Sequence, residues 1–490
     1  MPLHPTVESI RPAIEEGLTI STSTDMWSFF GRFRPMPSRP NPKNHFWMLR
    51  IFRKGGLGLL LLGLVPLPAQ ADKIVLEYWD KWTGFEAAAM QSIVDDFNAS
   101  QDRIEVRYSA ISQIDLKLML AIAGRRPPDV AGIWGVTLPI YVENNALLPL
   151  DQLAAQEGVK DSDYLPSIWA LCHHRNHLWA FPSTPLSLAL YWNKRLFREA
   201  GLDPDQPPRT IAELEQFNEK LTRREADGTY RIFGHLPLEP GGWRSLWGYW
   251  FGGRMWDSAG RITADDPGNM RALDWIAGYP RRFGVHAVAS FLEGGGNFAS
   301  PLNPFIEERV AMEIQGSWMW NFIQKYSSKN LDIGVAPFPS ESGAPVTIVE
   351  SDVLSIPVGA PHVRASFEFI RFVNRQDEIE KLCALHCKFS PLTQVSAGFW
   401  KNHPNPFIKV FYDLARGPGA RSSPRMNNWM QYNDEMDQGI DDIWAERETP
   451  SEVVENVQAR MQPKLDHDLA RWQRLSGALQ KTWAEEESPP

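Results

Sequence analysis

Two short runs set indole rings directly beside hydrogen-bonding groups: Trp79-Asp80-Lys81-Trp82 and Trp134-Gly135-Val136-Thr137. Gly316-Ser317-Trp318 and Asn428-Trp429 repeat the pairing, and Ser112-Gln113 supplies a hydroxyl and an amide. An indole offers a large flat apolar face with one N–H, while Asp, Lys, Asn and Gln donate and accept around its rim. Such a set does noncovalent chemistry: stacking on a flat solute and hydrogen bonding at its edges. The chain has 20 Trp against 11 Tyr in 490 residues, so the ring type this chemistry needs is in unusual supply. The default place for any one Trp is nonetheless the core. Trp79 and Trp320 read that way, and the stripe Trp243, Trp247, Trp250 fits core packing and a ligand-facing helix equally, with Gly252-Gly253 able to admit a close approach to the backbone.

Other chemistries fare worse. Cys172, His173, His174 and His177 resemble a metal set, but zinc needs converging tetrahedral ligands and a hairpin would point His173 and His174 to opposite faces. No metal and no cofactor are expected. Glycoside hydrolysis needs two carboxylates flanking one bond; Asp95-Asp96 falls on the outer face of a helix and reads as solvated. Asp129 reads as a ligand contact or as turn chemistry after Pro128. Three cysteines cannot form a disulfide scaffold, and Cys383 with Cys387 is either a strained bridge or two packed thiols. The formal charge of −9 argues against a general nucleic-acid binder.

The elements that must hold these residues follow from periodicity. IVLEYW reads as a strand, and Phe85, Ala89, Ile93 and Phe97 then recur every four residues behind a Thr83 N-cap. Ile104–Ile111 is a second strand, and Leu116, Leu120 and Ala123 mark a helix stopped by Gly124 and Pro127-Pro128. Asp129–Trp134 is a third strand, a helix runs near Leu138–Asn145, and ALLPLDQL reads as loop or extended chain. This alternation implies an α/β lobe with a parallel sheet, whose ligands bind at the carboxyl ends of its strands. Asp80, Gln113 and Trp134 stand at those ends. Further on, HHRNHLWAFP reads as a hairpin, LSLALYW as a strand running into a helix closed by Gly201, and Thr210 with Glu213 as a capping box. Helices dominate from there to about Trp320, strands return at IGVAPFP and VTIVESDVLSIPV, and the tail from Pro404 is helical around a break at ARGPGARSSP.

The start of the chain reads as an export segment. Residues 48–71 join a basic start (Arg50, Arg53, Lys54) to the apolar run Leu57–Leu67 and the small-residue site Ala69-Gln70-Ala71, a signal peptide cleaved near Ala71. Residues 1–47 read as a non-native upstream extension, with translation expected at Met48. Eight Lys or Arg and four Asp or Glu precede Asp72, so the remainder carries a net charge of −13.

The pieces IVLEYWDKWTGFE, LKLMLAIAGRRPPDVAGIWGVTLPIYVENNALLPLD, HLWAFPSTPLSLALYWNKRLFREAGLDPDQPPRTIAEL, VAMEIQGSWMWNFI and LSIPVGAPHVRASFEFIRFV keep an order and spacing that resemble the carbohydrate-binding proteins of ABC importers, the family that includes maltose-binding protein. The resemblance runs from Ile74 to about Leu465. It implies an α/β fold of the type II periplasmic-binding class: one lobe from 72–183 plus 332–385, a helix-rich second lobe from 184–331 plus 386–490, a multi-segment hinge, and a cleft that closes on ligand. It further implies a periplasmic monomer that binds a mono- or oligosaccharide and hands it to ABC permease subunits, without covalent chemistry. A secreted carbohydrate-active enzyme, or a binder of polyamine or peptide, is the alternative. By this likeness Asp80, Lys81 and Trp82, Trp134 and Thr137, Trp318 and Trp429 line the cleft. Gln113, Asn428, Trp247, Trp250 and Asp352 complete the expected site. Asp352 and Glu350 stand where relatives carry small residues, so Asp352 is either a cleft carboxylate suited to an amino or strongly hydrogen-bonding sugar or half of a surface pair.

Overall fold

The computed structural model describes residues 73–238, 243–257, 260–297, 299–327 and 331–486, with side chains as far as 477. The expected signal peptide and upstream extension lie outside these residues. Among the described residues no helix is long and apolar enough to cross a membrane.

The chain opens with the expected alternation: β1 (Ile74–Asp80), α1 (Gly84–Ser100), β2 (Ile104–Ala110), α2 (Ile114–Ala123) and β3 (Val130–Trp134). β1 lies between β2 and β3 and runs parallel to both, from Ile74↔Ile104 to Asp80↔Gly132. α1 buries Ala89, Met90, Ile93, Val94 and Phe97 as its four-residue spacing requires, although Thr83 makes no side-chain cap. On α2 the face is reversed. Ile114 and Leu118 are buried, whereas Leu116 and Leu120 are 47% and 62% exposed, because the helix packs through its first turn and leaves its opposite side to solvent. ALLPLDQL is only partly extended: Asp151–Gln156 is helical.

Two long strands then organise the molecule. β4 (Ala180–Asn193) pairs antiparallel with β5 (Met312–Gly316) and β6 (Ile333–Ala336) through its second half, and with β7 (Thr347–Ser355) through its first. β7 in turn pairs antiparallel with β3, from Asp352↔Trp134 to Ser355↔Ala131. β4 and β7 therefore run from one α/β half into the other. The β4–β7 register slips where Ser351↔Pro185 gives way to Val353↔Pro182, so Ser183 and Thr184 stand opposite the single residue Asp352. That bulge puts Thr184 and Asp352 side by side on the connecting strands.

Apolar burial follows the same division. One core gathers Leu76, Tyr78, Phe97, Ile133, Trp179 and Phe181 with Phe367, Phe369 and Ile379. A second gathers Leu190, Phe233, Trp247, Trp250, Ile276, Met312, Trp429 and Ile440. A third cluster, around Tyr191, Phe305, Ile323 and Phe411, fills the space beneath β4. Thr210 caps the helix Ile211–Leu221 with the expected reciprocal box, and Gly201 closes the helix Lys194–Glu199 at φ +71°. The Trp243–Trp250 stripe lies on a 3-10 helix, Arg244–Phe251, rather than an α-helix. Cys172, Cys383 and Cys387 are free, buried thiols.

Candidate ligand-binding site

β1 ends by delivering Asp80 into the interior, where its carboxylate accepts the Tyr78 hydroxyl (2.5 Å) and the Lys81 N–H (2.7 Å). Gly132 on β3 lies hard against it. A Cβ there would come within 2.6 Å of the carboxyl carbon, so only glycine lets the neighbouring strand pass. Lys81, 8% exposed, turns inward and pairs with Asp352 (3.0 Å) and Asp80 (3.5 Å). From the far side comes Lys388. The helix Gln376–Leu385 is closed by Cys387 in the left-handed region (φ +53°), with the Lys388 N–H on the Cys383 carbonyl. This turn sends the Lys388 ammonium inward to Asp352 Oδ2 (2.8 Å) and Thr184 Oγ1 (3.2 Å), while Thr184 itself donates to Asp352 (2.6 Å).

Three indoles enclose the two ammonium groups. Lys81 Nζ lies 5.0 Å from the Trp82 ring centre and 5.4 Å from that of Trp134; Lys388 Nζ lies 4.9 Å from Trp82 and 6.0 Å from Trp318. These are cation–π distances. Trp82 and Trp134 meet edge-on at 6.4 Å, and Trp243 lies 6.0 Å from Trp318. Trp134 is 38% exposed and opens the cluster to solvent. Trp82 Nε1 is buried with no partner among the described residues.

The electrostatics are those of a buried, balanced set. Burial alone would raise the Asp352 carboxyl, but the Lys388 and Lys81 ammonium groups and the Thr184 hydroxyl hold it well below the usual carboxylate range. Burial pulls Lys81 down, and Asp352 and Asp80 more than restore it. At the rim, burial pushes the Glu86 carboxyl up to about 7 against the pull of Lys388. Burial and Lys388 together push His386 down to about 3, so this ring, donating from Nε2 to the Glu86 carbonyl (3.2 Å), is neutral at ordinary pH.

The expected residues thus separate. Lys81, Trp82, Trp134, Trp318, Asp80 and Asp352 come together. Asp352 is not a surface residue, and with three donors on it, it is engaged by the protein itself. Thr137 serves Trp134 from behind, its hydroxyl bonded to the Trp134 carbonyl (2.9 Å). Trp247 and Trp250 are core residues with satisfied N–H groups, on the carbonyls of Pro237 and Val346, because their helix packs inward against Phe338 and Trp275. Trp429 likewise stacks on Tyr432 in the second core. Asn428 is buried with neither amide atom partnered among the described residues. Gln113 is exposed at the start of α2 in a left-handed conformation. Of the Gly252-Gly253 pair, Gly253 meets Asn269 and Gly268 while Gly252, at φ +76°, has nothing within 4 Å, and Asp129 holds the Glu77 N–H and His362. His174 and His177 turn to Glu143 and Asp151 respectively. Lys388 and Thr184 were not legible: a lysine after a helix and a threonine between prolines carry no signal until the chain is folded.

Two α/β halves joined by two shared strands, with a polar and aromatic cluster at the strand ends, define a two-lobed protein of the periplasmic-binding class. Residues 82–378 match the family model of bacterial extracellular solute-binding proteins, and the chain belongs to that family. It is 20% identical over 413 residues to the sn-glycerol-3-phosphate-binding periplasmic protein of Pectobacterium atrosepticum, a match covering 79% of this chain and 90% of that one. Among solved structures it is similar to mannobiose-bound CpMnBP1 (TM-score 0.70, 25% identity, 79% of this chain and 99% of that one). It is also similar to the sugar-binding protein MalE of Xanthomonas citri (TM-score 0.67, 20% identity, 85% and 100%).

Proposed function

We propose that this protein is the substrate-binding component of an ABC importer for a mono- or oligosaccharide, held between the lobes and delivered to the membrane permease. The observation that carries this reading is the junction of the lobes, where Trp82, Trp134 and Trp318 surround Lys81 and Lys388. A pyranose has flat C–H patches and a rim of hydroxyls, and indoles stack on the first while ammonium N–H groups bind the second. The mannobiose and MalE likenesses support the same class of ligand. The lobes divide near 72–183 plus 332–385 and 184–331 plus 386–490, and the protein acts as a periplasmic monomer after cleavage near Ala71.

Catalysis is not part of this reading. Asp95 and Asp96 engage Gln91 and Lys381 at the surface, and Asp352, held ionised by two lysines, cannot act as an acid. A thermal-shift screen of the mature chain against a sugar panel tests the proposal. A ligand at 100 times its dissociation constant stabilises the fold by about 2.7 kcal/mol. Stabilisation with no release of reducing ends is expected. Turnover, or stabilisation only by polyamines or peptides, would overturn it.

A further inference from the structure

We infer that Asp352 makes this site select an uncharged saccharide and reject phosphorylated ligands, because its carboxylate occupies the place between Lys81 and Lys388 that a ligand's anionic group would take. The inference rests on the sugar-binding reading and narrows it. Two neighbouring buried ammonium groups would ordinarily invite a phosphate. Here the invitation is already answered: Lys81 sits 3.0 Å from one Asp352 oxygen and Lys388 2.8 Å from the other.

The carboxylate cannot easily withdraw. Asp352 lies on β7 opposite the bulge of β4, and Thr184 of that bulge donates to it at 2.6 Å. At Asp352, β7 is paired with β3 on one side and abuts the β4 bulge on the other, so its backbone is held, and turning the carboxylate away would forfeit the Thr184, Lys81 and Lys388 contacts together. Asp80, fixed by Tyr78 and the Lys81 N–H, supplies the second negative charge. Two cations therefore face two carboxylates, and Glu86 adds a further negative charge nearby once ionised. A phosphomonoester brings a charge of about −1.5 to −2 at neutral pH, which would stand uncompensated in a site walled by three indoles.

A neutral ligand meets a different site. An ammonium has three N–H donors, and among the described residues Lys81 spends its own on Asp352 and Asp80, Lys388 on Asp352 and Thr184. One donor on each is left, and the Trp82 ring between them, 5.0 and 4.9 Å from the two Nζ atoms, carries an unpartnered N–H. Hydroxyl or ring oxygens can accept all three without disturbing the charge balance.

The test is calorimetry on the mature chain with mannobiose and maltose on one side, and sn-glycerol 3-phosphate and glucose 6-phosphate on the other, at fixed salt. At least one neutral sugar is expected to bind about tenfold or more tighter than either phosphate ester. In Asp352→Asn the ratio should move about tenfold toward the phosphate esters, since an amide no longer answers the two lysines. Should that variant fail to fold, the wild-type comparison decides alone. Preferred binding of sn-glycerol 3-phosphate by the wild type overturns this inference while leaving a solute-binding site in place. Binding of neither class overturns the sugar reading and this inference with it.

Discussion

Trp318 shows how a single side chain's place depends on its neighbour. Gly316, two residues earlier at the end of β5, lies directly under the ring, and a Cβ there would come within 2.0 Å of it. Trp318→Ala should keep the fold and weaken sugar binding by on the order of 1 to 3 kcal/mol through lost aromatic contact. Gly316→Ala should give a similar loss by tilting the ring, and titration of both variants with the best sugar checks this; unchanged affinity in each would remove Trp318 from the site. Glu86 offers a pH signature. Its carboxyl titrates near 7 in the fold against 4.5 as the ordinary value, so between those points the folded chain holds a proton that the unfolded chain has released. Stability therefore falls as pH rises through that window, and Glu86→Gln should flatten the fall by on the order of 1 kcal/mol. Melting temperatures from pH 5 to 8 read it out, and parallel curves for variant and wild type would refute it.

At the scale of elements, local chemistry and packing contribute separately. The box at Thr210 is local: its hydroxyl accepts the Glu213 N–H at 3.1 Å and its own N–H reaches back to Glu213 at 3.3 Å. Thr210→Ala should cost about 1 kcal/mol in urea unfolding without changing ligand affinity. Such boxes, and the strand–helix alternation from β1 to β3, were legible because hydrogen bonding and periodicity act over a few residues. The buried face of α2 was not. Leu116 and Leu120 are as apolar as Leu118, and only the sheet beneath decides which of them it covers. The same holds for the β4–β7 bulge, whose register comes from pairing between segments far apart in the chain.

Across the whole molecule, Arg425 fastens the two cores together. From the segment preceding Trp429 its guanidinium donates to the carbonyls of Gly135 (2.7 Å), Leu171 (2.9 Å) and His173 (2.9 Å), beside the first core. Arg425→Met fills the volume but leaves these acceptors unmet, and should lower unfolding stability by about 3 kcal/mol. Chemical denaturation measures it; a loss within experimental error would mean that the three carbonyls find other donors.

The class of fold and the strand-end placement of Asp80, Lys81, Trp82 and Trp134 were legible in the chain alone, because periodicity and order along it are local properties. The sequence could not separate Trp318 from Trp247, Trp250 and Trp429, since an indole is equally suited to a core and to a stacking surface. Folding packs all four into the second core, and sets Trp318 also within 6.0 Å of the Lys388 ammonium. Folding also brought Lys388 and Thr184 to Asp352, and with them the charge balance of the site. Burial makes that balance matter, because an unpaired charge costs far more away from water than in it, and burial is decided only when distant segments meet.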